Sequence, residues 1–358
     1  MPRETRLVAY TNAEAIGGAE RCLMTILEGL PPSFRVTVVA TSAPIGEAVA
    51  EACHAAEVTL VPPTTRFWDP RAVASHWRVL RRLRAQVCVV NLQTPYSGLH
   101  ATLAALLVPR LQVVAVELLP LSSRSRAARL LKRMTSRRLA AHIACAESTA
   151  RAVAAEAGVP PETMLVVPNG VPEPAVGTAD LGMSRPVIGG VGRLDRQKGF
   201  DVLVDALALL PGVSAVVVGD GPERDALMRR AYDRSVADRF MILGWKEEVG
   251  PFLRSLDLFV LPSRFEGLPL ALLESMAAGV AVVASDVGGV GEAVVSEESG
   301  SLVPADDAPA LAAAIRGLLD DEERRKRLGA RAREVWRARF TAERMQQRYV
   351  DIITRLLR

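Results

Sequence analysis

The chain has 358 residues, of which 49% are hydrophobic and 23% charged. This composition excludes a disordered chain, and the length favours two domains over one. The net charge of +4 arises in the first half, because residues 1–180 contain 19 Lys and Arg against 14 Asp and Glu, whereas residues 181–358 contain 25 against 26. Since no aromatic-rich basic surface, helix-turn-helix or zinc-finger spacing accompanies this charge, the sequence predicts no nucleic-acid partner.

Cysteine usage and the length of apolar runs indicate the compartment. Cys22, Cys53, Cys88 and Cys145 are scattered, with no CxxC pair and no histidine at metal-ligand spacing, which is typical of buried reduced thiols. The amino-terminal residues lack the apolar core of a signal peptide, and the longest apolar run, residues 99–108, is too short to span a bilayer. We therefore expect a cytoplasmic protein without a metal site.

Short β-branched runs alternate with longer helical segments along the chain. In chain order the runs are residues 7–11, 35–41, 58–62, 87–91, 111–117, 142–146, 164–168, 187–192, 214–220, 240–245, 258–263, 281–286 and 301–304. Several are apolar throughout, as strands covered on both faces are. This alternation predicts an α/β protein with parallel, doubly wound sheets.

A cluster of turn-forming residues divides these strands into two groups. Asn169-Gly170 is followed closely by Pro172, Pro174 and Gly177. The expected divisions are a Rossmann-like domain over residues 1–171, a linker over 172–184, a second Rossmann-like domain over 185–339 and a C-terminal helix over 340–358 that packs back toward the first domain. We expect ligands to bind in a cleft between the carboxyl ends of the two sets of strands.

Basic residues are concentrated in residues 121–141, which contain seven Lys and Arg and no acid. Two sets of side chains recur there at helical spacing, namely Arg126, Arg129, Arg133 and Arg137, and Ala127, Leu130, Leu131 and Met134. One interpretation is a basic amphipathic helix that lies on the anionic inner face of a membrane. The other is an ordinary helix that packs Leu130, Leu131 and Met134 on the sheet and leaves its arginines in water.

Residues 264–279 carry the strongest local signal. Glu266 lies in a loop before a helix expected over residues 269–278, with Gly279 as its C-cap, and Glu274 lies inside that helix. Ionised carboxylates accept hydrogen bonds from sugar hydroxyls, so the pair suits a polyol. The alternative is that Glu266 caps the helix and Glu274 lies on a solvated face.

Glycine-rich segments follow the first strand of each half. In Gly189–Gly199, the glycines together with Arg193 and Lys198 resemble a diphosphate cradle in outline, although the P-loop order is absent. The alternative is a turn with two surface cations. Gly17-Gly18 either brings backbone amides close to a ligand or forms a tight turn.

Together these segments resemble the retaining GT-B glycosyltransferases of family four over almost the whole chain. The resemblance rests on Gly17-Gly18-Ala19-Glu20-Arg21, Cys145-Ala-Glu-Ser148 leading to Pro168-Asn-Gly-Val171, Gly192-Arg193 with Lys198-Gly199, Gly219-Asp-Gly221, and the E-x7-E pair Glu266 and Glu274. It implies a GT-B fold of two Rossmann-like domains. It also implies a transferase that moves a hexose-type sugar from a nucleotide-diphosphate sugar, with UDP favoured over GDP, to an acceptor hydroxyl.

The resemblance also implies roles for individual residues. The implied catalytic residues are Arg193, Lys198 and Glu266, and the implied donor-binding residues are Glu274, Gly267, Leu268, Gly17, Gly18 and Gly192. Arg193 and Lys198 would hold the diphosphate and stabilise the charge that develops on the departing nucleotide. Glu266 would bind hydroxyls of the transferred sugar, and Glu274 those of the ribose. With two cations in place, we expect neither a metal nor a cofactor.

Two positions depart from the family pattern. The family often has histidines where this chain has Glu117 and Gln93, and we take both residues as candidates for an acceptor or sugar pocket. The four histidines, His54, His76, His100 and His142, lie elsewhere and are expected to be surface or hydrogen-bonded structural residues. In the front-face mechanism proposed for the family, the departing phosphate accepts the acceptor's proton. The departure therefore bears on the sugar and the acceptor more than on activity.

Two functions remain open at this point. An active transferase would act on a lipid-linked, polysaccharide or small-molecule acceptor. The alternative is a non-catalytic sugar-nucleotide-binding relative, or a sugar-nucleotide epimerase on the same scaffold. The presence of Arg193, Lys198, Glu266 and Glu274 favours the transferase, since a degenerate relative is expected to lose some of them.

Overall fold

The computed structural model describes residues 4–53, 56–64, 69–123 and 125–358. His54 and Arg124, both named above, lie outside the described residues. The chain divides into two compact units. Unit 1 comprises Met1–Gly170 and Ala342–Arg358, and unit 2 comprises Val171–Thr341.

Unit 1 is a seven-stranded parallel sheet with helices between its strands. Its strands are β1 (Thr5–Thr11), β2 (Phe34–Ala40), β3 (Glu57–Leu60), β4 (Val87–Leu92), β5 (Gln112–Glu117), β6 (Ala141–Ala144) and β7 (Leu165–Val166). Its helices are α1 (Gly18–Glu28), α2 (Ala43–Glu51), α3 (Pro70–Leu83), α4 (Leu99–Leu106), α5 (Arg126–Ser136), α6 (Glu147–Ala157) and, from the end of the chain, α14 (Ala342–Leu356), with a short 3₁₀ helix at Pro161–Thr163. The strand order is β3-β2-β1-β4-β5-β6-β7.

Both faces of this sheet are covered, as continuously apolar strands require. Because successive side chains of β1 point to opposite faces, Leu7 and Ala9 join one core cluster, whereas Val8 and Tyr10 join another. The first cluster includes Met345, Tyr349 and Ile353 of α14. The C-terminal helix is therefore part of the core of unit 1.

Unit 2 repeats the architecture with six parallel strands. They are β8 (Val187–Val191), β9 (Ser214–Val218), β10 (Phe240–Ile242), β11 (Leu258–Leu261), β12 (Val282–Ser285) and β13 (Ser301–Val303). The helices are α7 (Phe200–Ala208), α8 (Arg224–Asp233), α9 (Gly250–Ser255), α10 (Leu270–Ala278), α11 (Val290–Ala293), α12 (Ala308–Leu319) and α13 (Glu322–Arg339). The strand order β10-β9-β8-β11-β12-β13 is that of a doubly wound Rossmann sheet.

The predicted α/β class is confirmed, because every apolar run named above overlaps a strand of the structure. Residues 172–184, expected to be a linker, lie in unit 2. Leu181 is buried, and the Ala179 amide donates to Ser255 Oγ at 2.7 Å. This segment therefore packs on helix α9 of unit 2.

Helix α5 corrects one sequence-based interpretation. Ala128, Lys132, Thr135 and Ser136 are the buried side chains of this helix, whereas Leu130 and Met134 are exposed. Leu130 and Met134 therefore do not pack on the sheet, as the ordinary-helix interpretation required, whereas Leu131 is half-buried. No helix within the described ranges is both long and apolar enough to cross a membrane.

Candidate functional site

The unit 2 sheet changes winding direction between β8 and β11, the position at which doubly wound sheets bind ligands. The loops after these two strands meet at the carboxyl edge. Gly199 has a φ of +65°, and a Cβ there would lie 2.1 Å from the carbonyl oxygen of Pro262. Glycine is therefore required for the loop after β8 to approach the end of β11 so closely.

This contact brings Lys198 and Glu266 together. Lys198 Nζ donates to Glu266 Oε1 at 2.6 Å. Ser263 Oγ donates to the same oxygen at 2.8 Å, and Gln197 Nε2 lies 3.4 Å from the other carboxylate oxygen. The exposed fraction is 17% for the lysine side chain and 5% for the glutamate side chain, so solvent reaches the pair mainly on the lysine side.

Residues that follow a third strand, β12, hold the loop that carries Glu266 in place. Gly288, after β12, has a φ of +54°, and a Cβ there would lie 1.9 Å from the Glu266 carbonyl oxygen. The Gly289 amide donates to the Gly267 carbonyl at 2.7 Å. The carboxylate is therefore held by backbone packing as well as by its own hydrogen bonds.

Arg264 anchors the other side of this loop. Its guanidinium donates to both carboxylate oxygens of Asp201 at 2.8 and 2.9 Å and pairs with Asp306 at 2.6 Å. Burial opposes ionisation of Asp201, but the hydrogen bonds and charge of Arg264 outweigh it and hold the pKa of that carboxyl below its usual value. Hydrogen bonding to Asp201 raises the pKa of Arg264.

Arg193 is the most open cation of the site. Its side chain is 70% exposed, and its Nε lies 3.5 Å from Asp195 Oδ2. Gly192 packs against the Lys198 side chain, and the Gly192 amide donates to the Val218 carbonyl at 3.0 Å. The two predicted cations therefore come from one loop, one exposed and one paired with Glu266.

Other glycines of this segment have a structural role. A Cβ at Gly189 would lie 2.5 Å from the Val216 carbonyl oxygen, and one at Gly190 would lie 2.7 Å from the Phe200 ring. These two glycines allow close packing inside the sheet. The cradle suggested by the sequence therefore reduces to the loop after β8.

Helix α10 follows Glu266 almost as expected. It begins at Leu270 with Pro269 as its N-cap residue, and Gly279 ends it in the left-handed conformation. Glu274 is buried on this helix, and Gly267 and Leu268 are buried in the loop before it. The two glutamates of the E-x7-E pair therefore belong to one loop–helix unit.

In unit 1, the predicted glycines lie at the carboxyl edge of the sheet. Gly17 and Gly18 are exposed at the start of α1. The Gly17 amide donates to Glu20 Oε2 at 3.1 Å, and Gln93 Nε2 donates to Glu20 Oε1 at 2.8 Å. Thr11 Oγ1 contacts the same oxygen at 3.3 Å. Gln93, a candidate for an acceptor or sugar pocket, also positions the glutamate that holds the glycine loop, and its pocket role stays a prediction.

Glu117 requires a correction. Its side chain is fully buried and accepts hydrogen bonds from Lys132 Nζ and His142 Nε2, the latter at 2.7 Å. Burial opposes its ionisation, but the two basic partners outweigh burial and lower the pKa of this carboxyl. A group enclosed in this way does not line an open pocket, so we withdraw the pocket assignment.

The described histidines have structural surroundings. His76 is fully buried, with Nδ1 2.7 Å from the Ala72 carbonyl and Nε2 3.3 Å from the Tyr10 hydroxyl. Burial lowers the pKa of its imidazole. His142 is buried against Glu117, and His100 is half-buried on α4.

Sequence reasoning missed the partners that orient the predicted residues. Ser263 and Gln197, which hold Glu266, lie inside segments that the sequence had already singled out. Their roles depend on the packing of two loops that are about 65 residues apart in the chain. Lys132 was counted only as one of the seven basic residues in 121–141, and nothing in its spacing distinguishes it from the neighbouring arginines.

The unit 2 site therefore combines an exposed guanidinium, a half-open ammonium group and a buried carboxylate with oxygen acceptors. Cations of this kind bind phosphate oxygens, and the carboxylate accepts hydrogen bonds from hydroxyl groups. The geometry suits a ligand that joins a phosphate to a polyol.

Comparison with known proteins identifies the family. The sequence model of Glycosyl transferases group 1 matches residues 179–335, and that of Glycosyltransferase Family 4 matches residues 16–173. The 2-deoxystreptamine N-acetyl-D-glucosaminyltransferase of Streptomyces fradiae is 30% identical over 378 residues, covering 92% of this chain and 85% of that protein. The lipopolysaccharide core biosynthesis glycosyltransferase LpsE of Rhizobium meliloti (strain 1021) is 36% identical over 174 residues, covering 49% of this chain and 51% of that protein.

The chain spans about half the length of LpsE and of two further Rhizobium meliloti relatives, with coverage between 44% and 54%. Crystal structures of HepE from Anabaena, in complex with UDP and with UDP-glucose, share the fold with a TM-score of 0.85 at 22% identity. They cover 98% of this chain and at least 99% of HepE, which confirms the expected GT-B fold. Both family matches and the similarity to the S. fradiae enzyme show that the chain belongs to the glycosyl transferases group 1, the GT-B glycosyltransferases of family four.

Proposed function

We propose that the chain is a retaining glycosyltransferase that moves a hexose-type sugar from a nucleotide-diphosphate sugar to an acceptor hydroxyl. The Lys198–Glu266 ion pair beside exposed Arg193 carries this proposal. The bond to be broken joins the sugar to a phosphate. A cation for the phosphate and a carboxylate for sugar hydroxyls should therefore be neighbours, and here one hydrogen bond of 2.6 Å separates them.

The chemistry follows from the charges. Lys198 uses one ammonium hydrogen on Glu266, which leaves two for phosphate oxygens. As the bond between the anomeric carbon and the phosphate oxygen breaks, Lys198 and Arg193 stabilise the negative charge on the departing diphosphate. The acceptor oxygen bonds to the same face of the anomeric carbon, and its proton passes to the departing phosphate oxygen. Glu266 holds the sugar through its hydroxyls, and Glu274 binds the ribose.

We assign the nucleobase to the end of the site that lies toward β10. The Gly219 amide donates to the Gly244 carbonyl at 2.9 Å, which joins the ends of β9 and β10, and Trp245 follows with 64% of its side chain exposed. Two strand spacings of about 4.8 Å separate β10 from β8, a distance that a nucleoside diphosphate can span. An indole face offers stacking to either base. UDP is favoured over GDP because HepE, which shares the fold, binds UDP.

For the acceptor we propose a lipid-linked saccharide. The similarity to LpsE, which acts in lipopolysaccharide core biosynthesis, supports this choice, whereas the name of the S. fradiae enzyme, a 2-deoxystreptamine N-acetyl-D-glucosaminyltransferase, supports a soluble small molecule. An enzyme with such an acceptor works at a membrane surface, which suits peripheral contact of residues 121–141 with the inner membrane face.

The test is nucleotide release by the purified chain. A panel of UDP- and GDP-sugars is supplied with and without lipid-linked and soluble acceptors, and NMR of the product gives its anomeric configuration. We expect release with a UDP-sugar and retention at the anomeric carbon. The matched control for the Lys198→Ala variant is Lys326→Ala, which removes an exposed lysine of α13. Tight nucleotide binding with no release under any condition would indicate a non-catalytic relative, and inversion of the anomeric centre would contradict the retaining mechanism.

A further inference from the structure

Helix α5 presents an unusual combination of side chains to solvent. Leu130 is 61% exposed and Met134 is 58% exposed, although neither lies on a loop or at a chain end. Arg126, Arg129, Arg133 and Arg137 are also exposed, and helical geometry places them in rows beside the two apolar residues. Within the described part of the chain, none of these four arginines makes an ion pair shorter than 4.0 Å. The exposed face is therefore apolar and positively charged at the same time.

The buried side of the same helix explains why the apolar residues point outward. Lys132 is the central buried side chain, and its ammonium group pairs with Glu117 at the end of β5. His142 Nε2 of β6 donates to the same carboxylate oxygen at 2.7 Å. A rotation that buried Leu130 and Met134 would withdraw Lys132 and leave the Glu117 charge enclosed without its partner, which is strongly unfavourable. The ion pair thus sets the rotation of α5 about its axis.

We propose that the exposed face of α5 docks on an anionic phospholipid membrane and that the Lys132–Glu117 pair holds this face outward. The four arginines bind headgroup phosphates, and Leu130 and Met134 enter the boundary between headgroups and acyl chains. The two apolar residues are aliphatic, which suits acyl chains; a single-stranded nucleic acid would call for stacking aromatic residues. This inference rests on the proposed membrane contact, and it adds the inserted residues and the group that orients them.

Vesicle co-sedimentation with the full chain tests the docking face. We expect the protein to bind vesicles of phosphatidylcholine and phosphatidylglycerol at low salt, at least tenfold more weakly at high salt, and hardly at all to phosphatidylcholine alone. Leu130→Ser/Met134→Ser and Arg126→Glu/Arg129→Glu should each lower binding at least tenfold. Arg327→Glu/Arg337→Glu, the same charge change on exposed positions of α13, should leave binding unchanged.

Methionine oxidation supplies a second readout in the unmodified protein. Met134 is exposed and should form its sulfoxide readily in dilute peroxide, as should Met228 of α8, which is 40% exposed in unit 2. Anionic vesicles should protect Met134 severalfold and leave Met228 unprotected, as measured by peptide mass spectrometry. In the Glu117→Gln/Lys132→Met variant, the constraint on rotation is gone, and Met134 should be protected without vesicles.

Each outcome separates docking from transfer. Nucleotide release with a soluble acceptor, measured on the same preparations, should be unchanged in the Leu130→Ser/Met134→Ser variant. If the wild type ignores anionic vesicles at low salt while it still releases nucleotide, the docking proposal is wrong and the transferase proposal stands. If the Leu130→Ser/Met134→Ser variant binds vesicles as well as the wild type, or a DNA oligonucleotide displaces the protein from them, the face is a general polyanion surface and the proposal is also wrong.

Discussion

Each unit contains a Glu–Lys pair near the carboxyl end of a central strand, and the two pairs differ in access. In unit 1, Glu117 and Lys132 are sealed, with side-chain exposures of 0% and 4%. In unit 2, the side-chain exposures of Glu266 and Lys198 are 5% and 17%, and the side chain of the neighbouring Arg193 is 70% exposed.

The difference in access follows from the elements that supply the lysines. Lys132 comes from the inward face of a helix that covers the sheet, whereas Lys198 comes from the loop at the carboxyl end of β8. A sealed pair can orient a helix, but a ligand in solution cannot reach it. The open pair can exchange part of its hydrogen bonding for phosphate and hydroxyl groups. Removing one partner should therefore affect stability in unit 1 and turnover in unit 2.

The largest effect is expected from Lys132→Met. The change leaves the Glu117 charge buried with His142 alone, so the free energy of unfolding should fall by about 3–5 kcal/mol. Urea denaturation followed by circular dichroism measures it. Glu117→Gln/Lys132→Met, which removes both charges, should lose less, and the exposed Lys326→Met is the control. If Lys132→Met is as stable as the wild type, Glu117 and Lys132 do not carry opposite charges.

Arg193→Ala and Lys198→Ala should affect catalysis next most strongly. Each removes one charge contact to the departing diphosphate and should raise the barrier by about 2–4 kcal/mol, on the order of 30- to 1,000-fold in kcat/KM. The measurement is nucleotide release with the best sugar donor. Stability should change far less than in Lys132→Met. If both variants fold and turn over the donor like the wild type, the loop after β8 takes no part in the reaction.

Trp245→Ala extends the comparison to the end of the open site where we propose that the nucleobase binds. Loss of a stacking surface should weaken UDP binding by about 1–3 kcal/mol, measured by calorimetry. Tyr232→Ala, which removes a more exposed aromatic ring from α8, is the control and should bind UDP normally. Equal affinities in all three proteins would place the base elsewhere.

The sealed pair also predicts a response to acid. Because the folded-state pKa of Glu117 is depressed, its contribution to stability is fully present above the unfolded pKa of about 4.3 and is lost as the pH falls through the folded value. The stability gap between wild type and Glu117→Gln/Lys132→Met should therefore narrow below about pH 4. Denaturant titrations from pH 7 to pH 3 provide the measurement, and a constant gap would contradict the assignment.

The smallest effect is expected from a chelator. In the proposed mechanism Arg193 and Lys198 supply positive charge to the diphosphate, so EDTA should leave nucleotide release unchanged within about twofold. The assay is run with a saturating UDP-sugar, with and without added Mg²⁺ or Mn²⁺. Complete loss of activity in EDTA that either metal restores would show that the open site needs a divalent cation.

Much of the fold could be predicted from the sequence because strands buried on both faces are apolar throughout, and this pattern is local. The E-x7-E pair and the loop with Arg193 and Lys198 were also visible as local patterns. Ser263 and Gln197 were not assigned a role, since their contact with Glu266 depends on how two distant loops pack. Glu117 was assigned to a pocket because the family often has a histidine at that position, and its place at a strand end does not reveal what covers it.

The sequence by itself determined the strand succession, the family and the residues with phosphate- and hydroxyl-binding chemistry. It did not determine the orientation of α5, because the stripes of Arg and of Leu and Met have the same period whether they face the sheet or the solvent. The tertiary structure decided this through Lys132, whose charge is satisfied by Glu117 and His142 from two neighbouring strands. An enclosed charge must meet its partner, and that requirement outweighs the burial of two aliphatic side chains.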